Sequence, residues 1–380
     1  MQFELSEEER MIQQAARDFA NAEIAPVADE NSATGTFPID IIKKLGELGF
    51  MGMLVPETYG GTDLGNFCLV LALEEVNRAC ASTGVTMSVH NSLTCGSLVK
   101  YGHEEQKKKY LPKLASGEFI GAYALTEPGS GSDAASLTSS AVKDGNEYIL
   151  NGTKSFISTG ADADLFTVMV RTDPEQRTKG ITAFLLEPGM AGFEIGKKED
   201  KLGLRASSTV QIMFEDLRVP AEQILGEEGL GFTIAMSSLD GGRIGIASQA
   251  VGIAQACLDA SVTYAKEREQ FKQPIGNFQS IQWKIANMAM KIEAARLLVY
   301  QAARLKDAGR PHSIEASMAK LFSSETCNEA AREAVQIHGG AGYTTDFPVE
   351  RYFRDAKATE IYEGTSEIQR IVISRTLLKD

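Results

Sequence analysis

The period of the apolar positions divides the chain into three stretches. Ser6 and Glu9 form the capping pattern of a helix start, and Ile12, Ala16 and Phe19 follow at helical spacing. Ile41, Ile42, Leu45 and Leu48 make a second helical face between the breaks at Pro38 and Pro56, and Leu69 to Ala79 a third. Tyr101 to Ala115 reads as a basic-rich helix interrupted at Pro112, and residues 1–120 read as an all-α domain. The period then shortens. Val142 leads into Asp144-Gly145, and Glu147 to Leu150 leads into Asn151-Gly152 before Lys154 to Ser158, so two turn dipeptides predict tight hairpins in an antiparallel meander. Leu165 to Arg171, Ile181 to Glu187 and Val210 to Glu215 add strands, and residues 121–226 read as a β domain, a small barrel or sandwich. From residue 227 the helical period returns in Ala-rich stretches at 230–267, 278–307 and 314–337. Stretches of that length predict a helix bundle over 227–380 whose packing continues across a subunit interface. The fold class is α+β and multidomain.

Composition narrows the chemistry. The 380 residues are 43% apolar and 23% charged, close to a globular average, and no apolar run approaches the roughly 18 residues of a membrane-spanning helix. Thirty-eight basic against 51 acidic residues leave a net charge of −13, which argues against nucleic acid or anionic lipid as a partner. Five cysteines are scattered without a CxxC pair and four histidines without HExxH, so neither a zinc site nor a disulfide framework is expected. Met1 to Arg10 carries four acidic residues where a presequence needs basic ones, which reads as a leaderless, reduced, cytoplasmic chain. Hard chemistry is left to carboxylates, hydroxyls, backbone amides or an organic cofactor.

Gly129 to Ala134 fits the GxGxxA dinucleotide pattern and follows the apolar run Ile120 to Leu125. A Ser/Thr-rich segment and hairpin turns follow it, not a helix and a parallel strand, so the βαβ reading is declined. Thr126 to Asp133 remains either an ordinary polar turn or a loop whose free N–H groups and hydroxyls approach a phosphate or a polar ring edge.

Four strings carry a resemblance. Tyr123-x-Leu125-Thr126-Glu127-Pro128, Arg268-x-Gln270-Phe271-x-x-Pro274-Ile275, Gln336 to Gly340 with Gly342-Tyr343, and Tyr362 to Gln369 resemble, in order and spacing, the acyl-CoA dehydrogenase family, most closely its bacterial short-chain (butyryl-CoA) branch. The resemblance implies an N-terminal helical domain, a central antiparallel β-barrel and a C-terminal four-helix bundle. It also implies FAD, and the oxidation of a short- to medium-chain acyl-CoA thioester to the trans-2-enoyl-CoA.

On that resemblance Glu363 is the base that takes the α proton, which suits a carboxylate whose pKa rises in a water-excluded pocket. The backbone N–H of Glu363 and a ribityl hydroxyl would stabilise the thioester oxygen as charge develops on it, and the β hydrogen would leave as hydride to flavin N5. Tyr123, Leu125, Thr126, Gly131, Ser132, Phe156, Ile157 and Ser158 would hold the flavin, with Thr365 and Glu367. Many relatives carry Trp where this chain has Phe156, so the aromatic face is kept and the indole N–H is lost. Arg268, Phe271, Gln279, Gln336, Gly339 and Gly340 would reach the pyrophosphate and adenosine from a neighbouring subunit, within a homotetramer. Ser132, Asp240, Arg243 and Gly364 would contact the acyl-CoA, Asp240 to Arg243 opening the third-domain helix. Some relatives place the base at the position of Gly242, where this chain has no carboxylate, leaving Glu363 as the candidate. Electrons would pass to an electron-transferring flavoprotein; an acyl-CoA oxidase and a flavin-free helical scaffold are the alternative classes.

Overall fold

The computed structural model describes residues 4–379. Helices α1 (Glu7–Phe19), α2 (Ala25–Thr34), α3 (Ile39–Glu47), α4 (Gly65–Ala79), α5 (Ala81–Val89), α6 (Gly96–Tyr101) and α7 (Glu104–Ala115) come first. The cap expected at α1 forms: Ser6 Oγ accepts from Glu9 N at 3.2 Å and Glu9 Oε2 accepts from Ser6 N at 2.8 Å. One-turn π segments join α1 to α2 (Ala20–Ile24) and α5 to α6 (His90–Cys95). The last expected helix starts later than its apolar pattern suggests. His103 Nδ1 accepts from Gln106 N while Gln106 Oε1 accepts from His103 N, and this second capping box begins α7 at Glu104. Pro112 does not interrupt α7. It forfeits one backbone bond, and burial of Tyr110, Leu111, Leu114 and Ala115 carries the helix past it.

The middle segment holds β1 (Gly121–Ala124), β2 (Ser140–Asp144), β3 (Glu147–Ser158), β4 (Leu165–Arg171), β5 (Ile181–Leu186), β6 (Phe193–Lys198), β7 (Thr209–Pro220) and β8 (Ile224–Leu225). Seven strands run in the order β6-β7-β3-β2-β4-β5-β8, with β1 pairing β4 off that path. The sheet wraps a core of Tyr148, Leu150, Phe166, Phe184, Ile212 and Phe214 among others. Two expectations fail here. The sheet is mixed, because β1 and β2 both run parallel to β4. Asn151-Gly152 is a bulge and not a turn, since β3 continues through it along β7 with a register shift between Leu150 and Gly152. Asn151 Nδ2 donates to Asp216 Oδ1 at 3.1 Å and Asn151 Oδ1 accepts from Asp216 N at 2.9 Å, so cross-strand bonds take up the polarity that reads locally as a turn. Gly152 has φ +146°, and a Cβ there would lie 2.3 Å from Ser139 Oγ.

Helices α8 (Gly231–Glu267), α9 (Gln279–Asp307), α10 (Ser313–His338), α11 (Val349–Ala356) and α12 (Ser366–Leu377) complete the chain. The first three pack on one another, α12 lies against α10, and α4 adds Phe67, Val70 and Leu71 to the same core. Leu239 to Arg243 lies in the third turn of α8 and does not open the helix as expected. A separate core joins Val89, Leu93 and Leu98 to Tyr123, Leu125 and Leu165 of the sheet region and to Ile234, Ala235 and Ile246 of α8. All three segments meet there. All five cysteines are free and buried. Among the described residues no helix is long and apolar enough to cross a membrane, and no cluster of His, Cys, Asp and Glu could hold a metal ion.

Candidate active site

At that junction is a cavity of about 570 Å³. Its walls come from the α5 end and the π turn (Val89, Leu93), the loop after β1, the end of β3, one face of α8 and the loop entering α12. Of the expected site residues, Tyr123, Leu125, Thr126, Gly131, Ser132, Phe156, Ile157, Ser158, Arg243, Glu363, Gly364 and Thr365 all line it. The glycine-rich stretch makes only a short 3₁₀ turn, Ala134–Ser136, before β2. It is a loop on the cavity wall and not a dinucleotide βαβ turn.

Glu363 is the group with the most unusual environment. Its backbone is left-handed, φ +51°, and Gly364 follows at φ +93°. Such a conformation in a residue with a Cβ costs on the order of 1 kcal/mol and persists where neighbours fix it. Lys320 Nζ donates to Gly364 O at 2.8 Å, and Gln369 Nε2 donates to Glu363 O at 3.2 Å and to Gly364 O at 2.8 Å. Thr365 Oγ1 caps α12 by accepting from Ile368 N at 3.4 Å. Tyr362 Oη donates to Gln249 Oε1 on α8. Both carboxylate oxygens of Glu363 are buried without a hydrogen-bond partner. Burial pushes this carboxyl up to about 7, against the opposing charges of Lys320, Arg243 and Lys306. Gly242 makes room for it: a Cβ there would stand 1.9 Å from Glu363 Oε2.

The opposite wall is fixed by a buried ion pair. Lys154 Nζ donates to Glu127 Oε1 at 2.7 Å and to Leu125 O at 3.2 Å, with both side chains almost wholly removed from solvent. Thr138 N, Thr138 Oγ1 and Ser139 N donate to the same carboxylate at 2.6, 2.9 and 2.9 Å. Burial favours the neutral acid, but the Lys154 charge and these donors outweigh it and hold Glu127 ionised. Lys154 is two residues before Phe156, and Ser155 N donates to Thr126 O at 2.8 Å, so one strand anchors the whole loop. Phe156 has φ +57° and is 67% exposed, which turns its ring out of the barrel core into the cavity wall.

The remaining expected residues lie elsewhere. Arg268 caps the C-terminus of α8, Phe271 is 88% exposed, Gln279 starts α9, and Gln336, Gly339 and Gly340 sit at the end of α10. Tyr264 stacks on His338, which brings the ends of α8 and α10 together on the outside of the bundle, away from the cavity lining. Within one subunit these residues do not join the site. Asp240 is also outside the lining: it accepts from Arg243 Nη1 at 2.6 Å and from Ser313 Oγ at 3.0 Å. Glu367 is exposed on the first turn of α12. Sequence reasoning missed Lys154, Lys320 and Gln369. The available signal was a lysine among small residues in Ala316 to Ser324, on a helix face that proves buried.

Sequence models of the acyl-CoA dehydrogenase N-terminal, middle and C-terminal domains match residues 6–118, 122–217 and 229–378. The short-chain-specific acyl-CoA dehydrogenase of Clostridium acetobutylicum is 48% identical over 380 residues, 100% of each chain. The butyryl-CoA dehydrogenase structure from Megasphaera elsdenii superposes with a TM-score of 0.98 at 44% identity, covering 100% of each chain. A chain of the structure described as an electron transferring flavoprotein of Acidaminococcus fermentans superposes at 0.99 with 50% identity, again covering 100% of each. The three family domains, in the order in which they surround the Glu363 cavity, place the chain in the acyl-CoA dehydrogenase family, and it is an oxidoreductase acting on acyl-CoA.

Proposed function

We propose that the chain oxidises a short-chain acyl-CoA to the trans-2-enoyl-CoA with Glu363 as the base and FAD as the cofactor, passing electrons to an electron-transferring flavoprotein. The observation that carries the reading is the Glu363 carboxylate: buried, unpartnered, on the cavity wall and poised to about 7. A base with that value is half ionised near neutrality and accepts a proton without a hydration shell to shed.

The cavity suits a flavin. Its volume is in the range that holds a flat ring system, its lining mixes apolar side chains with hydroxyls, and the buried Tyr123 Oη lacks a partner. Phe156 offers an outward aromatic face, and the loop from Thr126 to Ser132 offers amides and hydroxyls to a polar ring edge. FAD, when bound, supplies the hydride acceptor that no side chain provides. Leu93, Leu239 and the flanking apolar residues keep water from the acyl group, while Ser132, Arg243 and Gly364 contact the thioester and CoA. The Arg268, Phe271, Gln279, Gln336, Gly339 and Gly340 set reaches the adenosine half from a neighbouring subunit of a homotetramer. The superposition at 0.99 on the electron-transferring flavoprotein complex supports that partner for this chain.

The test is anaerobic addition of butyryl-CoA to purified protein. A yellow preparation whose flavin band bleaches is the expected result; a colourless one that takes up no FAD refutes the reading.

A further inference from the structure

The loop that carries Glu363 is held by a buried cation that has no carboxylate to pair with directly. Lys320 is fully buried on α10, and its hydrogen bond goes to a carbonyl, Gly364 O, at 2.8 Å. A lysine in that position loses its hydration without the return of a contact ion pair. Burial pushes it down to about 8, and the strongest opposing influence is the Glu363 charge. The relation is mutual, because Lys320 is the foremost charge drawing Glu363 down.

Other groups face the same carboxylate. Arg243 of α8 is engaged by Asp240 at 2.6 Å, and Lys306 of α9 stands near Asp307 and Asp240. Tyr123 of β1 and the adjoining Tyr362 are buried phenols, both held neutral by desolvation. Around Lys320 itself are Arg243, Glu360 and Glu367 besides Glu363. Arg243 and Lys306 spend part of their field on other acids, so the charge of Lys320 is the one most free to act on Glu363.

We propose that Lys320 is a positioning residue for the reaction: its buried ammonium clamps the left-handed Glu363-Gly364 segment through Gly364 O and supplies the counter-charge that keeps Glu363 available as a base. Gln369, which donates to the carbonyls of both residues, is the neutral half of the clamp. The inference rests on Glu363 being the base only for its catalytic consequence; the clamp and its field exist without substrate.

The experiment is an infrared titration of the Glu363 carboxyl band in the FAD-loaded protein without acyl-CoA, the band being identified by its loss in Glu363→Gln. The midpoint of the unaltered protein is expected near 7. Lys320→Gln keeps a donor and removes the charge, and its midpoint should rise by about 1 pH unit or more, as should that of Lys320→Met, a second charge-removing variant. Lys320→Arg should stay close to the unaltered value, and Gln369→Leu should leave the midpoint in place while slowing flavin reduction. An unmoved midpoint in the charge-removing variants, or a shift in Lys320→Arg as large as theirs, overturns the proposal. Failure of butyryl-CoA to bleach the flavin alongside the expected shifts would refute the proposed reaction and leave the clamp standing.

Discussion

Gly242→Ala tests the site with a single methyl group. A Cβ at that position would stand 1.9 Å from Glu363 Oε2, 2.7 Å from its Cδ and 2.9 Å from Leu93 Cδ2. Ordinary contact begins at 3.4 Å, so the carboxylate must withdraw by the difference, about 1.5 Å. Its oxygens are the far end of a flexible side chain, and rotation away from α8 relieves the clash without moving a backbone. Replacing a mid-helix glycine by alanine also favours α8 by about 1 kcal/mol. Stability and flavin content should therefore be kept or improved. Catalysis should not be: a displacement of about 1 Å at a reacting group costs on the order of 10²-fold in rate, and this one is larger. Stopped-flow flavin reduction by butyryl-CoA under anaerobic conditions reads the loss, and thermal denaturation reads the stability. A variant that reduces its flavin within about threefold of the unaltered rate would refute the claim that the gap at Gly242 positions the base.

Two further outcomes follow from the buried charges. Glu363→Gln should retain the flavin and lose bleaching by several orders of magnitude. It should also stabilise the protein: the carboxyl is raised in the folded state from 4.5 to about 7, so stability falls as pH rises through that window and the full cost, on the order of 3 kcal/mol, is present above 7. The variant should outlast the unaltered protein in denaturant at pH 8 and match it near pH 4; equal midpoints at pH 8 would sink that account. Lys154→Met strands the Glu127 carboxylate without its partner and should cost about 3–5 kcal/mol, while adding Glu127→Gln should recover part of it. A single variant within about 1 kcal/mol of the unaltered protein would mean the pair holds nothing together.

The long helices were the most legible part of the chain. A 3.6-residue period sustained over many turns places α8 at 231–267 against an expectation of 230–267, because no competing local signal interrupts it. Local signals misled where long-range pairing decides. Asn151-Gly152 favours a turn by itself, but β7, about 60 residues on, draws β3 straight through it. The β1–β4 pairing, Gly121 with Leu165, leaves no local mark at all. At the site, Glu363 was found through its motif, whereas Lys154 and Lys320 were not. In sequence a lysine looks like a solvent residue, and these two meet partners 27 and 44 residues away. What identifies them is burial, which only the folded chain supplies.

The π turn at His90–Cys95 gives the cavity a second way to change. Val89 enters it and Leu93 lies within it, and both face the acyl space. A π turn holds one more residue than the α turn it replaces, and each residue rotates a helix by about 100°. Removing one residue from His90–Cys95 would return the segment to α geometry and swing everything beyond it, Leu98 included, onto a different face. The pocket's depth thus depends on the number of residues in one wall as well as on their identity. In this wall insertion and deletion, which would wreck most buried helices, are a route by which relatives of this chain can come to accept acyl groups of different length.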